Sequence, residues 1–460
     1  MPRVPFPALL LLPWSAFCAW CVSGFPPCID LPAHGAQLAI LAEVLRGGPA
    51  SAAFEAHFSV GYGLTTWLFA PVALALSGEA AVKVAAWLTL STFPASVAFL
   101  AQRLGRPWQL GLLAAPLGFS VSYWYGFLPT LFAGPLVLTV WAVWLRHVER
   151  PTRRSAGLVV ALSLVVLLCH FIAFAALVVG ALALTPRRSW RQLVLLGVPA
   201  LVAAPRVLEL VTTAARGAAA LPTRYNLDAH LLGVVKQYPL GARISVWLNA
   251  VVIAAVGVAA LVRWWRSRRN DPALWLAGSQ ALLFLAMPDD LAGSWRVGVR
   301  LVVFVAVAGL CTWPWARVPK ALVALPLVAL GCLAHLHVWF AREVDGLEAV
   351  IAAPPPPGVH GGLLVSGAAP PFTRLGLLEH QPQWWTARWG GLGTHLFADA
   401  PHQVVQWRAG AVRDERLRAS TLEPAALDAV LVHGEGALPD ALQSLTVVQT
   451  AGRWRRLERR

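Results

Sequence analysis

Charge is what this sequence has least of. Only 13% of its 460 residues are Asp, Glu, Lys or Arg, against 58% hydrophobic. A soluble domain carries about 25% charged residues. Half the material of a water-facing surface is therefore missing, which excludes an ordinary soluble enzyme. Disorder is excluded too, because apolar content this high demands burial. Lysine is nearly absent, occurring at 83, 236 and 320 alone, so the net charge of +15 is an arginine excess. Abundant Ala, Leu, Pro and Trp accompany it, the bias of a G+C-rich genome, and the charge is not read as a nucleic-acid signal. Cysteines stand at 18, 21, 28, 169, 311 and 332 and nowhere later. The pair Cys18-Ala-Trp-Cys21 has a redox spacing but sits inside an apolar run, where small apolar packing is expected. No Walker loop, G-x-S-x-G elbow or metal-type Cys/His spacing occurs.

Apolar stretches able, or nearly able, to cross a ~30 Å hydrocarbon core are what the sequence has instead. They fall at 7–24, 81–101, 108–121, 129–146, 156–169, 171–184, 192–208, 244–262, 272–287, 297–313 and 320–339. Residues 7–24 also fit a signal peptide, although Phe25-Pro26-Pro27 offers no clean cleavage site. Cytoplasmic loops carry an excess of Lys and Arg. Arg103/Arg106, Arg146–Arg154, Arg187–Arg191, Arg263–Arg269 and Arg317/Lys320 are therefore placed inside, and the connectors holding Asp30, Glu43, Glu55, Glu79, Asp289 and Asp290 outside. This alternation requires 156–184 to cross twice and turn near Cys169-His170. It also keeps 25–80 together as one external loop, with amphipathic helices near 32–46 and 58–77 on or dipping into the outer leaflet. The reading is an α-helical polytopic membrane protein of about eleven spans, with the N-terminus in the cytoplasm and the C-terminus outside.

Beyond residue 340 acidic and basic residues balance, and Pro354–Pro357 marks a linker. Leu363-Leu364-Val365, Ala429–Val432 and Thr446-Val447-Val448 read as short strands and 423–427 as a helix start. The chain thus divides into a transmembrane core, 1–340, and a small external α/β domain, 341–460. Trp384, Trp385 and Trp389 are expected to seal that domain onto the core.

This layout resembles the polytopic GT-C glycosyltransferases, which take a sugar from a polyprenyl-phosphate carrier. The resemblance rests on Cys28-Ile29-Asp30-Leu31-Pro32-Ala33-His34 opening the first loop and on Ser77-Gly78-Glu79 through Lys83 entering the second span. It also rests on Gly105-Arg106-Pro107, Tyr123-Trp124-Tyr125-Gly126-Phe127, Leu168-Cys169-His170-Phe171, and the closing strands from Asp428 to Trp454. It implies a transferase acting on a lipid-phosphate-linked sugar, with an acceptor that is a glycan, lipid or protein. The family usually pairs two carboxylates near the first-loop motif, whereas here Asp30 follows Ile29.

Such a reaction needs a carboxylate to take a hydroxyl proton, or to hold a divalent cation that does so, and fixed positive charge for the phosphate. Asp30 is the candidate base and the candidate ligand for any metal. Capping the following helix is the equal alternative for it. His34, one turn on, is the second catalytic candidate, with an exposed surface histidine as the plainer reading. Glu55, His57, His170, Arg224, Arg296 and Arg300 are candidate substrate-binding residues. His170 is also readable as a packing residue, and Arg300 as the ion-pair partner of Asp289 or Asp290. Two other function classes stay open: a transporter or flippase of lipid-linked glycan, and a non-catalytic relative serving envelope assembly.

Overall fold

The computed structural model describes residues 11–215, 262, 265, 271–288, 296–313, 317–319, 322, 324–356, 359–364, 378, 380–393, 404–407, 427–434, 438 and 440–459. The expected span 244–262, all but one residue of the expected helix start at 423–427, and the acidic pair at 289–290 lie outside them or nearly so.

Helix boundaries follow local chemistry. Helix α1 spans Leu11–Ser23, α2 Leu31–Leu45, α3 Leu64–Ala75 and α4 Gly78–Arg103. Ser77 starts α4 by accepting from the Ala80 amide at 3.1 Å, with Glu79 in the first turn where the helix dipole favours an anion. The expected span 108–121 is not one helix. It divides into α5 (Leu110–Ala114), a 3-10 turn at Ala115–Phe119 holding Pro116, and α6 (Val121–Tyr125) closed by Gly126 at φ +74°. Proline within the turn removes the amide a continuous helix would use. Then follow α7 (Leu128–Glu149), α8 (Arg153–Cys169) and α9 (Phe171–Leu184).

Thr152 and Ser155 form a reciprocal capping box at the start of α8. His170, extended at φ −161° and ψ 116°, ends α8 and caps α9 through its ring. The expected break of 156–184 is thus present at His170. The stretch 192–208 opens instead as a 3-10 segment, Arg187–Leu196, before α10 (Gly197–Ala215). The remaining long helices are α11 (Pro272–Ala286), α12 (Val302–Cys311) and α13 (Ala324–Glu343). Among the described residues, three helices are long and apolar enough to cross a membrane: α4, α7 and α13.

One core cluster joins α4, α7, α8, α9, α11 and α12 around fully buried Trp141 and Trp144. Trp141 donates to the Leu177 carbonyl at 3.1 Å, and Gly180 leaves room for its indole. The connectors sort to two ends of this body. At one end Arg106 donates to the Cys311 carbonyl and pairs with Asp271, joining the end of α4, the start of α11 and the end of α12. Asp271 in turn caps α11 by accepting from the Ala273 amide at 3.1 Å. At the other end lie Asp30, Tyr125, His170 and Arg300.

Helix α2 corrects an expectation. It is buried continuously from Leu31 to Ala42 between α3, α4 and the C-terminal region, so it has no lipid-facing side of the kind an interfacial amphipathic helix requires. Small residues permit this. A Cβ on Gly78 would come within 2.1 Å of the Gly35 carbonyl oxygen, so α2 and α4 touch backbone to backbone. The second loop helix is also shorter than 58–77, because residues 57–63 are turn and coil.

The C-terminal region adds α14 (Leu347–Val350), α15 (Trp384–Trp389) and the strands of a five-stranded sheet. These are β2 (Val359–Leu364), β3 (Leu392–Gly393), β5 (Ala429–His433), β6 (Thr446–Ala451) and β7 (Trp454–Glu458), in the order β3-β2-β5-β7-β6. Strand β2 runs parallel to β3 and β5, while β5–β7 and β7–β6 are antiparallel. A separate two-stranded sheet pairs β1 (Phe54–Ala56) of the first loop with β4 (Val405–Trp407), Phe54 opposite Trp407. Trp384 and Trp385 are fully buried and α15 packs on α2 and α4, as the tryptophan cluster suggested, while Trp389 keeps an exposed face.

Candidate functional site

The site forms where the first loop, the tip of α6–α7, the α8–α9 break and the approach to α12 converge. Its first wall is the segment entering α2. The Ile29 and Asp30 amides donate to the carbonyls of Trp124 and Tyr125, both at 2.9 Å. Gly126 makes that clasp possible, since a Cβ there would meet the Leu31 nitrogen at 2.5 Å. The two motifs, distant in sequence, are thus one structural unit holding Asp30 in place.

Asp30 stands at the N-cap position of α2 but its side chain caps nothing. The capping alternative is therefore set aside. Its Oδ1 lies 3.0 Å from Nδ1 of His380, a residue of the C-terminal region. That is ion-pair distance, outside hydrogen-bond alignment. Both side chains are largely buried.

His34 is buried rather than exposed, which corrects the plainer reading of it. Burial pulls its pKa down to about 4, with Arg300 and His380 adding to the effect and Asp30 opposing it. The ring is neutral at physiological pH, within electrostatic reach of the carboxylate.

Arg300 closes the cluster. It lies in a 3-10 turn, Gly298–Leu301, that leads into α12, and is 7% exposed. Its guanidinium carbon sits 3.9 Å from the centre of the Phe127 ring, a cation–π contact. Nη1 is 3.1 Å from His170 Nε2, the Tyr62 hydroxyl is a further partner, and Asp30 is within electrostatic reach. His170 Nε2 also meets Thr130 Oγ1 at 3.0 Å, while Nδ1 accepts from the Ala173 amide at 3.3 Å. A neutral imidazole accepts at one nitrogen only, so the helix cap and the Arg300 contact compete for the same ring. An oxyanion brought to Arg300 would relieve that competition. An apolar cleft lined by Leu90, Phe93, Leu117, Thr130, Leu131 and Val303 approaches this cluster at Thr130.

The structure brings Asp30, His34, His170 and Arg300 together. Glu55 of β1 and His57 just beyond it pair instead with each other at 3.0 Å, half exposed. Arg296, with φ +57°, sits at the start of the turn carrying Arg300. Arg224 lies outside the described residues, and so do the acids expected to pair with Arg300, whose described partners are His170, Tyr62 and Phe127. Sequence reasoning missed Tyr62, Thr130, Phe127 and His380. The Tyr-Trp-Tyr-Gly-Phe motif pointed to Phe127, but nothing in the sequence links His380 to Asp30. Among the described residues no group of three His, Cys, Asp or Glu side chains is arranged to hold a metal ion. With a guanidinium and two imidazoles around it, Asp30 has cationic and neutral neighbours rather than further carboxylates.

No protein-family model matches the sequence, and no curated protein matches it. In three dimensions the chain is similar to the crystal structure of ArnT from Cupriavidus metallidurans bound to undecaprenyl phosphate. The TM-score is 0.55 at 12% identity, covering 98% of this chain and 97% of that one. The chain has a GT-C-like fold, that of a polytopic membrane protein.

Proposed function

We propose that this chain is an integral-membrane glycosyltransferase that moves a sugar from a polyprenyl-phosphate carrier to an acceptor hydroxyl outside the bacterial plasma membrane. The observation that carries the reading is the meeting of Asp30 and Arg300, a carboxylate and a buried guanidinium, at the end of a GT-C-like helical body. An intramembrane or interfacial charge without a function is costly. Asp30, free of capping duty, has the chemistry of a base. The likeness to a protein crystallised with undecaprenyl phosphate supports a polyprenyl phosphate as the lipid partner.

The acceptor oxygen attacks the anomeric carbon, and the bond from that carbon to the carrier phosphate breaks. The electron pair leaves with the phosphate. Asp30 takes the acceptor's proton as the new glycosidic bond forms. Arg300 offers two parallel N–H donors to the phosphate oxygens and stabilises their charge as the bond breaks. The Phe127 ring beneath it and His170 beside it fix the plane of the guanidinium. Neutral His34 donates or accepts a hydrogen bond at the sugar or the carboxylate. The catalytic step needs no metal in this scheme, and none is assigned.

The test uses farnesyl phosphate as a binding probe, and farnesyl-phosphoryl mannose, glucose and arabinose as donors, with purified protein in lipid nanodiscs. Binding of farnesyl phosphate that is weakened by Arg300→Lys, and sugar release that is lost in Asp30→Asn, are the expected results. Sugar release unaffected by Asp30→Asn refutes the assignment of the base. Absence of both binding and release in the wild type refutes the transferase.

A further inference from the structure

The C-terminal region is placed as more than a cover over the membrane body. We infer that His380 is a positioning residue for Asp30, so that the transfer site is composite, its carboxylate held by the first loop and oriented by the tail. The inference rests on the transferase reading above.

The segment carrying His380 is anchored on both sides. Leu378 is buried in the same core cluster as Ile29 and Leu31. Gln381, the residue after His380, is fully buried and donates from Nε2 to the Cys28 carbonyl at 3.1 Å, two residues before Asp30. Its Oε1 accepts from Trp384 Nε1 at 2.9 Å, which ties the segment to α15. The imidazole is thus delivered to Asp30 by a braced backbone rather than by a loose surface loop. Its Nδ1 meets one carboxylate oxygen at 3.0 Å.

A carboxylate with one oxygen engaged in this way has a restricted rotation about its last bond. The other oxygen is left to the acceptor hydroxyl. A base misplaced by about 1 Å loses on the order of 100-fold in rate. The pairing also answers the chemistry of a lone acidic residue. Ile29 stands where a paired carboxylate would precede Asp30, and the group that meets Asp30 comes from the far end of the chain.

The experiment compares the wild type with His380→Ala and His380→Asn in nanodiscs, using sugar release from the three farnesyl-phosphoryl donors. Limited proteolysis of the tail and thermal melting are measured in parallel. An Asn side chain can place its polar amide near the position of Nδ1 and keep the contact with the carboxylate, whereas Ala removes it. The expected result is a kcat on the order of 100-fold lower in His380→Ala, with unchanged KM for the donor and a protease-resistant tail, and substantial recovery in His380→Asn. Wild-type kcat in His380→Ala overturns the inference. So does a loss of activity that tracks a loosened tail and is not recovered by Asn, which is the mark of a purely structural residue. A wild type that turns over none of the donors overturns the transferase reading itself, and the role given to His380 with it.

Discussion

Arg388 of α15 and Glu79 of α4, 309 residues apart, form a two-point ion pair: Nε to Oε2 at 2.6 Å and Nη2 to Oε1 at 3.1 Å. Nη1 of the same arginine reaches Glu348 at 2.7 Å, and Lys83 reaches Glu79 at 2.6 Å. Burial alone would raise the Glu79 pKa, but Arg388 and Lys83 outweigh it and hold the carboxyl below its usual value. This cluster ties α14 and α15 to the first turn of α4 and fastens the tail to the helical body.

The sign of its pH dependence follows. A carboxyl depressed in the folded state contributes stability above its unfolded pKa, and that contribution is lost as pH falls through the folded value. Tail docking, read by limited proteolysis, is expected to hold at neutral pH and fail in acid below the ordinary carboxylate range. Glu79→Gln should remove that acid step and loosen the tail already at pH 7, with a cost of up to about 3 kcal/mol, the low end for breaking one side of a buried pair. A docked tail with an unchanged acid profile in Glu79→Gln would refute the role assigned to this pair.

His34 produces a second acid response at higher pH. Its pKa falls from 6.5 to about 4 on folding, so the unfolded chain binds the extra proton first. Its contribution to stability is full above pH 6.5 and shrinks from there down to about 4. Thermal melting of His34→Gln should show a flatter stability profile across that window than the wild type.

Gly126→Ala tests the clasp between the two motifs. The substitution puts a Cβ where the Leu31 backbone stands and asks Ala to adopt φ +74°. The conformational penalty alone is roughly 1–2 kcal/mol, and the Asp30 segment must shift to make room. Transfer activity should drop further than the melting temperature does, because the displaced group is the one proposed as the base.

Orientation is tested by a reporter fused after Arg460. Activity of a periplasmic reporter, and silence of a cytoplasmic one, is the expected outcome. The reverse would refute the placement of the tail and the site outside.

What the sequence displayed and what it hid divide along physical lines. The break at His170 was legible, because arginines on both sides of an apolar run demand an even number of crossings. Asp30 was legible from its place at the end of the first apolar run. The burial of α2 was not, since an apolar helix in a loop reads equally as interfacial. The small residues Gly35, Ala39 and Gly78 were the available signal, for they mark a backbone-to-backbone contact. The broken helix after Gly105 escaped because hydropathy does not register a 3-10 turn. His380 escaped for a different reason. Its partner lies at the other end of the chain, and contacts of that range leave no periodicity in either segment.

The pairing of β1 with β4 sets an order of events during synthesis. Phe54 leaves the ribosome early, whereas Trp407 follows only after every apolar segment between them has been made. The Cys28 carbonyl likewise waits for a partner 353 residues downstream. Domains tend to fold from the N-terminus as the chain emerges, but this first loop has no finished form until the last part of the protein arrives beside it. A chain interrupted before the tail would insert its helices and still present an unclosed strand edge and an unassembled site. Completion of the polypeptide is therefore built into the assembly of this cluster, which a prematurely ended product has no means to close.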